Sequence, residues 1–218
     1  MHIQSHIIKS IPVFKIDSPI KDIMHLFETT TYTHIAILDG DTYAGVLSEN
    51  DIETFEKDKF VFDYKYNLEM FFIPSDNSWL DALEIFARND ANVLPVLDEN
   101  KKMLGYYSLS DIVNIFIGTP FFTEQGSVLV VSKGVKDYSF SEIAQIVESN
   151  NAKLIGAFIT EMTNDIAQVT LKVSAEDINE ISQTFRRYGY AIDYGTTDDL
   201  FLEDLKDRSN YLDKYLNV

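Results

Sequence analysis

The chain has 218 residues, 45% of them hydrophobic and 13% aromatic, which excludes a disordered polymer and leaves room for two or three compact units. Its 35 Asp and Glu outnumber 18 Lys and Arg, and the formal charge of −17 disfavours nucleic acid and anionic membrane surfaces as partners. Cysteine is absent, so disulfides, thiolate nucleophiles and cysteine metal centres are excluded.

No apolar run approaches the roughly 18 residues that a bilayer crossing requires. Residues Met1 to Lys9 carry no basic segment followed by an apolar block, so no export signal is read and a cytoplasmic location is expected.

The chain then repeats itself. Residues 17–52 and 76–112 align with a single one-residue insertion, which places Asp17, Asp22, Phe27, Leu38 and Asp39 on Asp76, Asp81, Phe86, Leu97 and Asp98. Beyond the insertion, Gly45, Ser48, Asp51 and Ile52 fall on Gly105, Ser108, Asp111 and Ile112. Ser18-Pro19 predicts a cap and a proline in the first helical turn, after which Ile20, Ile23, Met24 and Phe27 form an apolar stripe. Trp79, Ala82, Leu83 and Phe86 reproduce that stripe.

Strands are expected at 34–38 and 93–97, each followed by turn chemistry, Asp39-Gly40-Asp41 or Asp98-Glu99-Asn100. A second strand then runs through Gly45 or Gly105 to a serine, and helices are expected over 49–60 and 109–117. Short extended segments around Pro12-Val13-Phe14 and Phe72-Ile73-Pro74 lead into the two copies. Neither copy has enough apolar surface to stand alone, so the two are expected to pack together.

Gly118-Thr119-Pro120 ends the repeat. A strand from Ser127, a helix capped by Ser139 with Glu142, a strand from Leu154, and an alternating strand over 167–173 follow. A helix capped by Ser174 and Asp177 and ended by Gly189, then a strand over 190–194, complete the order strand, helix, strand, strand, helix, strand. That order is the split βαβ plait. Residues 198–217 carry Phe201, Leu205, Leu212 and Leu216 on one side of an amphipathic helical pattern, which either packs on its own domain or holds a second subunit.

Each copy of the repeat places a serine and, three residues on, an aspartate at a strand-to-helix corner: Ser48 with Asp51, and Ser108 with Asp111. A carboxylate offers two acceptors to a vicinal diol, and a helix start offers free backbone N–H groups to an anion. The same spacing is also a plain capping box, and the chain has it at Ser78/Asp81, Ser139/Glu142, Ser174/Asp177 and Thr196/Asp199. The repeated glycine-strand context sets the two corners apart. No nucleophile with a base and no trio of metal ligands stands out; His2 and His6 lack a third ligand, and His25 and His34 read as structural.

Gly45 to Ile52 and Gly105 to Ile112 resemble CBS motifs, whose signature is a strand ending in Gly-apolar-apolar-Thr/Ser, two residues, then Asp-apolar. Leu94-Pro95-Val96-Leu97-Asp98 also resembles the family's apolar-Pro-Val-apolar-Asp strand, whereas Ala36 stands at the proline's place in the first copy. The resemblance implies two clefts between the repeats that hold an adenosyl compound such as AMP, ADP, ATP or S-adenosylmethionine. It implies the aspartate on the ribose, the serine near phosphate, and Thr33 and Asn92 lining the base pockets. Residues 127–195 are similar in layout to an ACT domain, although Val135 to Ser139 lack the glycine usual before the helix.

The expected class is α+β: CBS motifs at 1–58 and 59–118, a linker at 119–126, a ferredoxin-like, ACT-like domain at 127–197, and a C-terminal helix at 198–218. The expected function is that of a regulatory ligand-sensing module rather than an enzyme, with no metal, a homodimeric state and a protein partner that reads the change. The alternative is a ligand-free interaction or oligomerisation scaffold. A triphosphate is poorly served, since Glu49 and Glu53 flank Asp51 and no Lys or Arg adjoins Asp111.

Overall fold

The computed structural model describes residues 3–175 and 177–195. The chain divides into two compact units, one ending at Ile117 and one starting at Gly118. The C-terminal pattern with Phe201, Leu205, Leu212 and Leu216, the Thr196/Asp199 spacing and His2 lie outside the described residues.

The first unit is the duplication made solid. Strand β1 (Phe14–Lys15), helix α1 (Ile20–Thr29), strands β2 (His34–Asp39) and β3 (Thr42–Ser48) and helix α2 (Glu49–Ile52) form the first copy. Strand β4 (Ile73–Pro74), helix α3 (Trp79–Asn89), strands β5 (Val93–Leu97) and β6 (Met103–Ser108) and helix α4 (Leu109–Ile117) form the second. Each makes a three-stranded sheet, β1-β2-β3 or β4-β5-β6, with the lead-in strand parallel to the middle one and the hairpin antiparallel. All five residues of β5 and the first four of β2 are buried, so both middle strands lie in one hydrophobic core shared by the copies.

The two signature glycines explain how the copies interlock. Gly45 has φ +140° and Gly105 φ +146°, and a Cβ at Gly105 would stand 2.5 Å from the Ile8 carbonyl oxygen. At Gly45 it would stand 2.8 Å from the Glu69 carbonyl oxygen. Val46 bridges to Glu69 and Tyr106 to Ile8, so the segment leading into each copy pairs with the hairpin of the other. Only glycine admits both the backbone angle and the approach.

Local rules fail at three places. Helix α1 starts at Ile20 with Pro19 at its cap position, and Ser18 Oγ instead accepts from the Lys15 amide at 2.9 Å. The helix expected over 49–60 ends at Ile52; the chain then turns, Phe55 stacks on Tyr64 with centroids 3.8 Å apart, and a 3₁₀ helix follows over Val61–Asn67. Ser174 does not cap the helix of the second unit, whereas Asp177 Oδ1 accepts from the amide of Asn179, the first helical residue, at 3.0 Å. Ser174 Oγ accepts from the Lys153 amide, and the helix starts two residues after Asp177 with Ile178 at its cap.

In the second unit the order is helix α5 (Pro120–Thr123), β7 (Ser127–Gly134), α6 (Phe140–Ser149), β8 (Leu154–Thr163), β9 (Ile166–Val173), α7 (Asn179–Arg187) and β10 (Ala191–Tyr194). The antiparallel sheet runs β10-β7-β9-β8. Leu129, Val131, Val169 and Leu171 from the sheet pack with Ile143, Ile146, Ile181 and Phe185 from the helices. The stretch read as a linker contains α5, whose Phe121 lies over Gly156 and packs 5.3 Å from Phe158, centroid to centroid.

Candidate functional site

Both serine corners form where the repeat predicts them. Strand β3 delivers Ser48, whose Oγ accepts from the Asp51 amide at 3.1 Å, and β6 delivers Ser108, whose Oγ accepts from the Asp111 amide at the same distance. The serines therefore act as helix caps. The aspartates behave differently from those of an ordinary box. At the Ser78/Asp81 box, Asp81 Oδ2 accepts from both the amide and the hydroxyl of Ser78 at 2.8 Å, which holds its carboxyl below the usual range. Among the described residues, neither the Asp51 nor the Asp111 carboxylate takes part in a hydrogen bond or ion pair, so both corners keep an acceptor uncommitted.

Thr33 and Asn92 occupy equivalent places in the two copies and meet each other. The Thr33 amide donates to Asn92 Oδ1 at 3.0 Å, and the Asn92 amide donates to Thr33 Oγ1 at 3.0 Å. The Asn92 side-chain amide also donates to the Thr31 carbonyl. Their own carbonyls reach the corners: the Glu49 amide donates to Thr33 O at 2.8 Å, and the Leu109 amide to Asn92 O at 2.9 Å. All six candidate residues thus lie on one hydrogen-bonded ribbon running corner to corner, with the polar groups of Thr33 and Asn92 largely spent on each other.

Sequence reasoning missed two residues of the first corner. His34 pairs with Ser48 across the β2–β3 ladder and is 6% exposed. Its Nδ1 lies 2.9 Å from Thr33 Oγ1, its Nε2 3.6 Å from Glu69 Oε1, and its ring stands edge-on to Phe71 at 5.2 Å. Burial pulls the imidazole below its ordinary value against the opposing pull of Glu69, Asp90 and Asp51. The signal available in sequence was the alignment itself, since His34 falls where the second copy has Val93. His25, expected inside a core-forming element, is instead exposed and faces Glu28 at 3.9 Å.

Arg88 pairs with Glu84 along α3, which uses it on its own helix. A groove of about 400 Å³ is lined by Met24, Phe27, Glu28, Glu49, Ile52, Glu53 and Lys57. Among the described residues no group of three His, Asp or Glu could hold a metal, and no helix is long and apolar enough to cross a membrane.

In the second unit the junction of β7 with α6 is filled by the chain's own side chains. Lys133 Nζ donates to Glu142 Oε2 at 2.8 Å and lies 4.4 Å from the Tyr190 ring centroid. The Ser139 amide donates to the Tyr190 hydroxyl at 3.2 Å.

The CBS domain model matches residues 4–56 and 65–118. Curated protein sequences give no match. A CBS domain pair/ACT domain protein from Thermotoga maritima is 21% identical, with 54% of this chain and 97% of that chain covered and a TM-score of 0.49. The CBS domains of a transcriptional regulator from Streptococcus pneumoniae are 13% identical, with 52% and 98% covered and a TM-score of 0.47. CBSX2 in complex with AMP is 18% identical, with 53% and 96% covered and a TM-score of 0.45.

Proposed function

We propose that the N-terminal unit, a tandem CBS domain pair, is a regulatory sensor that binds an adenosyl compound at its serine corners and signals by a change in how its halves pack. The observation that carries this reading is the contrast between Asp81, consumed by its own cap, and Asp51 and Asp111, which leave acceptors for a ribose diol. Ser48 and Ser108 stand beside those carboxylates, and Thr33 and Asn92 join the two corners, so occupancy of one is felt at the other.

The plait of the second unit is read as an ACT-like pairing domain. The Lys133–Glu142–Tyr190 cluster fills the place where an amino acid would be expected, which favours a homodimer contact over a second ligand site. The module acts in the cytoplasm on a protein partner and performs no catalysis of its own. The mutual saturation of Thr33 and Asn92 favours a second reading, a ligand-free scaffold, because side chains already satisfied have little to offer a base.

Calorimetric titration with AMP, ADP, ATP and S-adenosylmethionine separates the two. Binding by at least one compound, lost in the Asp51→Ala/Asp111→Ala double variant, supports the sensor. Absence of heat from all four leaves the scaffold.

A further inference from the structure

Duplication supplies an internal control, because every residue of one corner has a counterpart at the other. Glu69 bridges Val46 and Ile8 bridges Tyr106, so those two stand at equivalent places, the latter beside Lys9. Alignment sets Glu49 against Leu109, Glu53 against Val113, His34 against Val93 and Asp90 against Thr31. The fold therefore demands none of these charges, since the second copy builds the same corner without them.

The consequence is a large difference in local charge. At the first corner Asp51 is flanked by Glu49, and the groups acting on the buried His34 are the Glu69, Asp90 and Asp51 carboxylates. At the second corner Asp111 has Leu109, Ser110 and Ile112 as its chain neighbours. Like charges gathered around one partly buried site repel one another, and an added phosphate would meet several at the first corner and one at the second. The helices differ in the same sense: α2 has 4 residues and α4 has 9.

Resting on the adenosyl reading above, we infer that the two clefts are unequal. An anionic adenosyl compound is taken by the Ser108/Asp111 cleft alone, one per chain, and Glu69 is the residue that keeps phosphate from the first cleft. His34 holds Glu69 in place from a buried position, with its Nε2 3.6 Å from the carboxylate.

Titration of the full chain with AMP tests the inference. The expected result is one AMP per chain, at least tenfold weaker binding in Asp111→Ala, and a second equivalent in Glu69→Gln. Two equivalents in the unaltered chain, or one equivalent retained at full affinity in Asp111→Ala, overturns it while leaving the adenosyl reading intact. A Glu69→Gln variant that still binds a single AMP also overturns it. If neither AMP nor uncharged adenosine binds, the adenosyl reading falls and the inference falls with it.

Discussion

The Tyr106 hydroxyl accepts a hydrogen bond from the Ala36 amide at 2.9 Å and donates to the Pro12 carbonyl at 2.9 Å, stitching the second copy to the first. The pair explains the one departure from the strand pattern. Pro95 has no N–H to satisfy, and its ladder partner is Tyr106; Ala36 stands at the proline's place, pairs with Val46, and keeps an N–H that needs an acceptor. Tyr106 is fully buried, and burial keeps its phenol protonated well above the ordinary range.

Tyr106→Phe strands a buried donor and a buried acceptor, so the first unit loses about 1–3 kcal/mol. Adding Ala36→Pro to that variant removes the stranded donor and recovers part of the loss. Urea unfolding followed at the first unit's transition measures both changes. An Ala36→Pro addition that destabilises further would show that the amide is not the group at stake.

Gly45→Ala and Gly105→Ala force a Cβ against the Glu69 and Ile8 carbonyls at backbone angles that alanine avoids. Each change costs about 2–4 kcal/mol. Hydrogen exchange localises the damage: protection is lost at the Glu69 and Val46 amides in Gly45→Ala, and at the Tyr106 and Ile8 amides in Gly105→Ala. Protection lost evenly over the unit would contradict the interlocking role.

His34 gives the first unit a pH dependence of definite sign. Its folded pKa lies below the ordinary value of 6.5, chiefly through burial, so between the two values the unfolded chain binds more protons. Stability is therefore full above about pH 6.5 and declines as the pH falls through that window. His34→Asn flattens the decline. Chemical denaturation at pH 7.5, 6.5 and 5.5 reads it, and a unit that grows more stable on acidification would refute the assignment.

In the second unit the carboxyl of Glu142 is held below its usual range, first by the hydrogen bond from Lys133. The resulting stability is present above about pH 4.5 and is lost as the pH falls through the lowered value. Tyr190, pushed up to about 12 by burial and by Glu142, completes the cluster. Lys133→Met removes the charge-assisted bond and the contact with the Tyr190 ring, costs about 1–2 kcal/mol, and flattens this acid limb. Its window lies below that of His34, so a single pH series separates the two units.

Much of this architecture is legible in the residues because duplication writes each rule twice. The glycine, serine and aspartate of each corner, the buried middle strands and the alternation of Val169 and Leu171 with Thr170 follow from periodicity and turn chemistry alone. Capping was less readable. Ser18 and Ser174 have the right spacing for a cap, yet tertiary position hands their hydroxyls to the Lys15 and Lys153 amides. The early end of α2 was hidden because it depends on Phe55 finding Tyr64, nine residues on. The His34–Glu69 contact was hidden for a related reason: it joins residues 35 apart in sequence through the exchange of lead-in segments.

The most direct test of the sensor reading is a crystal structure of the full chain grown with saturating AMP. One nucleotide per chain is expected at the second corner, its two ribose hydroxyls within hydrogen-bond distance of the Asp111 carboxylate. A structure grown under those conditions with both corners free of nucleotide would contradict that reading.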